Sequence, residues 1–156
     1  MMPMQRAVVM ITVGVPLWCT AGWLGYAAAD RALPVHINVA TASPRSVEVG
    51  GEFRIEYVMD RFRACDTSVS RRLYTKFGQP DQRRHALPST SFDEGDLPIG
   101  RDLISTRPLV LPAKEGEEGP AMMEMRNCYV CNITHYIWPI CRPPLPVYFE
   151  IVARKD

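Results

Sequence analysis

Residues 53–60 read Phe53-Arg54-Ile55-Glu56-Tyr57-Val58-Met59-Asp60. Phe53, Ile55, Tyr57 and Met59 occupy one phase and mostly charged residues the other. This period of two marks a strand with one covered face, because successive side chains point to opposite sides of a sheet. Gly50-Gly51 stops the chain just before it. Upstream, Val35-His36-Ile37-Asn38-Val39 and Val47-Glu48-Val49 alternate in the same way. Downstream, residues 68–75 form a run that ends at the turn Phe77-Gly78-Gln79-Pro80, and residues 83–87 form a weaker one. Residues 103–111 (LISTRPLVL) form another, in which Pro108 marks an edge or a break, since proline cannot donate to a ladder. The charged turn 114–120 (KEGEEGP) leads into 121–131 (AMMEMRNCYVC), with Met123, Met125, Tyr129 and Cys131 in one phase. Residues 147–153 close the pattern. Residues 89–102 (STSFDEGDLPIGRD) are acidic and carry no such signal, so they are expected to form an exposed loop.

Seven to eight strands separated by turn signals predict an all-β domain, an antiparallel β-sandwich. The Phe53/Ile55/Tyr57/Met59 face and the Met123/Met125/Tyr129 face are expected to bury each other. Composition agrees. Of 156 residues, 47% are apolar and 22% charged, which excludes a disordered chain and a multi-span membrane protein. Eighteen Lys and Arg against seventeen Asp and Glu leave a net charge of +1, so no nucleic-acid partner is expected. Fourteen prolines and ten glycines argue against a helical bundle.

Residues 7–29 (AVVMITVGVPLWCTAGWLGYAAA) contain no charge. As a helix they would rise about 34 Å, enough to cross a hydrocarbon core of about 30 Å. Trp18, Trp23 and Tyr26 gather toward one end, where amphipathic rings prefer the headgroup level. The expectation is a transmembrane anchor over 7–29, with residues 1–6 in the cytoplasm. A cleaved signal is the competing reading, because Ala27-Ala28-Ala29 fits a small-x-small cleavage site, although the apolar run exceeds an ordinary signal core. Cys19 follows the bulky Trp18, which does not suit a lipoprotein signal. Arg6 and the amino terminus outweigh Arg31, which Asp30 offsets, and place the N-terminus inside. Residues 30–156 would then be exported, on the periplasmic side of a bacterial inner membrane.

Four cysteines lie beyond the anchor: Cys65, Cys128, Cys131 and Cys141. In an exported domain they imply two disulfides with three possible pairings. Cys131 shares the covered phase of Met123, Met125 and Tyr129, and Cys65 shares that of Phe53 to Met59. A Cys65–Cys131 bridge would join the two sheets through the core, and Cys128 would reach Cys141 across a loop.

An early-strand cysteine paired with one in the penultimate strand, and Tyr129 two residues before Cys131, resemble an immunoglobulin-like domain and its tyrosine corner over residues 35–153. No Trp follows Cys65 on the next strand, so the resemblance implies the sandwich alone and not the antibody subtype. The layout is also similar to a loose group of small single-anchor proteins of bacteria, phages and prophages. The features are the anchor followed by Arg31-Ala32-Leu33-Pro34, then Gly50-Gly51, Arg61-Phe62-Arg63-Ala64-Cys65, and Cys131-Asn132-Ile133-Thr134-His135-Tyr136-Ile137-Trp138-Pro139-Ile140. That group implies organisation and no activity.

Cys128, Cys131, His135 and Cys141 form a rival set, three thiolates and an imidazole that suit tetrahedral zinc. Cys128-Tyr129-Val130-Cys131 is formally a C-x-x-C, but a redox pair belongs at a helix N-terminus and this one lies in a strand. His36, His85 and His135 have no catalytic company, and no phosphate loop or nucleophile elbow is present. Two surfaces remain. Arg61, Arg63, Arg71 and Arg72 read first as part of an ordinary solvated face, and in the sharper reading as a basic patch facing anionic lipid headgroups, cell-wall polymer or an acidic partner. The proline-rich loop 138–146 is either a docking surface using Trp138, Ile140 and Arg142, or a plug over one end of the sandwich. The expected function is non-enzymatic and cofactor-free: a membrane-tethered interaction or structural module with a protein partner. The alternatives are an accessory subunit of a larger membrane complex and a zinc-binding or thiol-redox domain.

Overall fold

The computed structural model describes residues 15–154. The described residues run through a helix α1 (Val15–Ala29) and nine strands: β1 (Val35–Ser43), β2 (Ser46–Glu48), β3 (Glu52–Arg61), β4 (Asp66–Thr75), β5 (Arg83–Phe92), β6 (Gly100–Val110), β7 (Gly119–Val130), β8 (Ile140–Cys141) and β9 (Leu145–Val152). One sheet has the order β1-β3-β6. The other runs β2-β9-β7-β4-β5, with β8 added to β7. Neighbours are antiparallel except β2, which lies parallel to β9. The chain passes from the first sheet to the second at the cis Ser43-Pro44 bond.

Alternation supplies the core. Phe53 and Ile55 from β3 meet Leu73 of β4, Met123 and Met125 of β7, and Val147, Phe149 and Ile151 of β9. The rings of Phe53 and Phe149 lie 5.0 Å apart, tilted, across the two sheets. A second cluster closes one end of the domain, built from Val35, Ile37, Met59, Cys65, Tyr129 and Ile140.

The segment expected to be a loop over 89–102 is shorter than its composition suggests. β5 runs on to Phe92 and β6 begins at Gly100. Pro88 does not end β5, because the β4–β5 ladder shifts register there, from Arg71↔Leu87 to Val69↔Thr90. A bulge on an edge strand is where a residue without an N–H is tolerated. Pro108 likewise sits on β6, an edge strand.

Cys65 is bonded to Cys131, and Cys128 to Cys141. The first bridge does not link the two sheets, as its strand phase suggested. Cys65 immediately precedes β4 and Cys131 immediately follows β7, so the bond flanks the Asp66↔Val130 pair within one sheet. The reason is that the chain leaves β3 and crosses to the other sheet before Cys65, which ends the phase inherited from Phe53. Cys128 and Cys141 are direct partners on β7 and β8.

α1 has 15 described residues, a rise of about 22 Å. Among the described residues no helix is long and apolar enough to cross a membrane. Residues 1–6, and residues 7–14 of the expected anchor, lie outside the described residues. Within α1 only Ala27 is buried, while Leu17, Trp18, Trp23, Leu24 and Tyr26 are exposed.

The turn between β6 and β7 is held by a buried carboxylate. Glu117 accepts from the Lys114 N–H (3.2 Å) and from Arg83 Nη1 (3.1 Å), and lies 3.0 Å from His85 Nε2. Burial pushes its carboxyl up, but the Lys114 N–H and the charges of His85 and Arg83 outweigh it and leave it below the ordinary 4.5. A lowered native pKa stabilises the fold above the unfolded value, and that contribution is lost as pH falls through the native value. Glu117→Gln is therefore expected to cost about 2 kcal/mol at neutral pH. In chemical denaturation the gap to the parent protein should narrow steadily once the pH drops below 4.5. Equal stability of the two proteins at neutral pH would contradict this role.

Candidate functional site

Beyond Cys131 the chain makes a short 3-10 turn, Ile133–Tyr136. Asn132 is its cap, in extended conformation, with Oδ1 accepting from the Thr134 N–H (3.0 Å). That arrangement turns the rest of the Asn132 amide outward, toward α1. Asn132 Nδ2 donates to the Ala27 carbonyl (3.2 Å), and so does Thr134 Oγ1 (3.2 Å). The Thr134 hydroxyl has one proton and also lies 2.7 Å from Asn132 Oδ1, so it serves one acceptor at a time. Ala27 carries one of the last four carbonyls of the helix, which have no partner inside it. The loop therefore caps the helix C-terminus from a distance of 105 residues in sequence.

Three further contacts complete the junction. His135 is buried, and its Nδ1 accepts from the Cys131 N–H (3.2 Å) while Nε2 stands 2.9 Å from the Asp30 carbonyl. An acceptor at Nδ1 and a carbonyl at Nε2 assign the neutral tautomer with its proton on Nε2. Arg31 donates to the carbonyls of Trp138 (2.6 Å) and Pro139 (3.0 Å), with its guanidinium 4.6 Å above the Trp138 ring. Arg63 pairs with Asp30 and donates to the Ala32 carbonyl. The hydrogen bond from Arg63 holds the Asp30 carboxyl below its ordinary range. On the outside of this framework, Ile133, Tyr136, Ile137 and Trp138 are exposed, Ile137 to 92%. Four large apolar side chains in six residues are thus presented beside the end of an apolar helix.

The loop residues separate. Trp138 faces outward, whereas Ile140 is buried in the end cluster and acts as the plug. Arg142 ties the loop to β1 by donating to the Ile37 carbonyl, and its own N–H bonds to Asn127. Ile140 and Arg142 are therefore held within the fold, and of the three loop residues only Trp138 is exposed, with Ile133, Tyr136 and Ile137 beside it.

The expected basic patch does not form. Arg61 and Arg71 are buried, Arg63 is taken up by Asp30, and only Arg72 lies on the outer face, beside Glu124 at 3.7 Å. The signal was present in the alternation. Arg61 is in phase with Phe53, Ile55, Tyr57 and Met59, and Arg71 with Val69 and Leu73. Period two outranked the preference of arginine for water.

The zinc set is differently employed here. Its three cysteines are in disulfides, both His135 nitrogens face backbone groups, and no metal-holding group of three or more His, Cys, Asp or Glu occurs among the described residues. Cys128 and Cys131 are not bonded to each other. Tyr129 lies near the end of β7, and its hydroxyl bonds to no backbone group, unlike the hydroxyl of a tyrosine corner. The free cysteine is Cys19, exposed on α1.

No family model and no curated protein sequence matches the chain. Among solved structures it is similar to an alkylpurine DNA glycosylase, AlkC, from Pseudomonas fluorescens, at 13% identity and TM-score 0.45, over 83% of this chain and 33% of that one. It is similar to a β-glucosidase from Listeria innocua at 8% identity and TM-score 0.42, over 76% and 16%. It is also similar to a superoxide reductase, neelaredoxin, from Ignicoccus hospitalis at 14% identity and TM-score 0.38, over 78% and 81%. The chain spans about a third of the glycosylase chain and less of the glucosidase. At these identities and TM-scores none of the three bears on what this chain does.

Removing the two side chains that cap the helix, in the double variant Asn132→Ala/Thr134→Val, should speed hydrogen exchange at the Asp30 amide, which bonds to the Tyr26 carbonyl, by about tenfold, on the order expected for losing one to two hydrogen bonds. Tyr136→Ser, outside the cap, should leave it unchanged. Equal exchange in both variants and the parent would remove the cap from the account.

Proposed function

We propose that the chain is a membrane-tethered, non-enzymatic interaction module of bacterial, phage or prophage origin, with residues 30–156 on the periplasmic side of an inner membrane. The apolar run 7–29 is the tether. The observation that carries this reading is the junction: polar side chains of the loop cap the helix end, while Ile133, Tyr136, Ile137 and Trp138 are presented to the outside. In a tethered chain this places the four apolar residues at the level of the headgroups, where Tyr and Trp are favoured. A protein partner would meet the helix and the loop as one surface, which also favours the role of accessory subunit in a larger membrane complex.

Two bonded cysteine pairs support an oxidising compartment. The strand order supports an immunoglobulin-like assignment, with β1, β3 and β6 standing as strands A, B and E and β4, β5, β7 and β9 as C, C′, F and G. A binding role rather than catalysis is supported by the employment of the titratable groups. Asp30, His85, Glu117 and His135 each hold a local structure together.

Reporter fusions test the arrangement. Alkaline phosphatase fused after Asp156 should be active and a green fluorescent protein in the same place dark, and Leu17→Arg/Leu24→Arg should shift the chain from the carbonate-resistant membrane fraction to the soluble one. A bright fluorescent fusion with an inactive phosphatase would refute the topology.

A further inference from the structure

Between the two sheets, at the end that holds Tyr129, lies a cavity of about 60 Å³. Two arginines line it, Arg61 and Arg71, and no Asp or Glu does. Both are buried, at 3% and 5% exposure. A guanidinium stays charged at any pH a protein meets. Two such charges in a low-dielectric interior are costly unless something neutralises them.

The two are not equivalent. Arg61 is saturated by backbone carbonyls, those of Arg63, Glu94, Leu97 and Cys65, and so fastens the 93–99 segment to the end of β3. Arg71 is not saturated. Its Nη1 donates to Thr90 Oγ1 (2.7 Å), and its Nε is buried without a partner among the described residues. The Tyr129 hydroxyl lines the same cavity, is buried, and sits beside the Asn127 side chain without a well-formed hydrogen bond. Tyr57, also on the wall, directs its hydroxyl to Met125 Sδ (2.7 Å), and its oxygen also faces the Arg71 guanidinium, which leaves the Arg71 Nε as the buried donor without a partner among the described residues. The remaining wall is largely apolar, including Val35, Met59, Val69 and Leu97.

We infer that this cavity is a binding site for a compact monoanion, a halide or a short carboxylate, held by Arg71 with the Tyr129 hydroxyl as a second donor. Charge gives the sign of the ligand, since the lining carries positive groups and no negative ones. Volume gives its size, because about 60 Å³ admits only a few heavy atoms. The donors give its valence: one unsaturated guanidinium and one hydroxyl match a single charge and cannot complete the shell of a phosphate or sulfate. The apolar wall suits an ion whose remaining surface is weakly hydrated or carries a methyl group. The site is independent of the tether and of the Trp138 loop, so its failure would leave the proposed function untouched.

The test uses the full-length protein in detergent, with bromide and acetate as probes and gluconate, too large for the cavity, as reference at constant ionic strength. The melting temperature should rise by about 4 °C for each tenfold increase of bromide or acetate above the Kd, as expected for a ligand bound only by the native state. Arg71→Gln should abolish the rise, and Arg72→Gln, on the outer face, should keep it. Crystals grown in bromide should show an anomalous peak within about 4 Å of the Arg71 guanidinium, a normal halide contact distance for an N–H donor. Should Arg71→Gln fail to fold, the bromide peak and the comparison with gluconate in the parent protein still decide. Identical melting in all three anions, or bromine found only on the surface with water beside Arg71, would overturn the inference.

Discussion

The covalent pin at the end of the β4–β7 ladder fixes everything on that side of the molecule. The two strands pair from Asp66↔Val130 to Tyr74↔Met122, and the Cys65–Cys131 bond closes the ladder at its last step. It spans 66 residues, so in the chain-entropy view it removes about 4 kcal/mol of freedom from the unfolded chain. Its structural consequence is local. Asn132, whose side chain starts the 3-10 turn and reaches the Ala27 carbonyl, follows Cys131 directly. The neighbouring Cys128–Cys141 bond anchors the return of the same loop. The loop is thereby held at both ends by sulfur, and its polar side chains meet the helix at a fixed place. Ile137 and Trp138, on the same loop, stand exposed.

The same end of the domain contains its least hydrocarbon-like interior. An ordinary core between sheets would place valine or leucine where Arg61 and Arg71 stand. Arg61 repays its burial by collecting the carbonyls of a loop that has no regular ladder of its own. Arg71 has fewer partners, the Thr90 and Tyr57 hydroxyls, and its neighbours in phase, Val69 and Leu73, are apolar. The contrast between two buried guanidiniums on adjoining walls separates a structural arginine from one available to a ligand.

The β architecture was legible because alternation is a local property. Phe53, Ile55, Tyr57 and Met59 declare their face without reference to the rest of the chain, and so do Met123 and Met125. The extension of β5 past residue 87 was not legible, because the bulge that accommodates Pro88 depends on the partner strand, which local sequence does not reveal. Arg61 and Arg71 were legible in phase and overlooked by chemistry: the rule that charge faces water was applied where period two gave the better answer. In the loop, Trp138 and Ile140 have the same apolar character, and only tertiary packing sends one outward and the other into the end cluster. The capping of α1 by Asn132 and Thr134 had no local signal, since donor and acceptor lie more than a hundred residues apart.

The central claim is that the domain is stapled by sulfur in the pairing that builds the helix–loop junction. Peptide mapping decides it most directly, using protein taken from its own host cells and alkylated at the moment of lysis. The account predicts that Cys65 is recovered linked to Cys131, and Cys128 to Cys141, with Cys19 alkylated. Recovery of Cys65 and Cys131 as alkylated thiols, or of Cys128 bonded to Cys131, would contradict it.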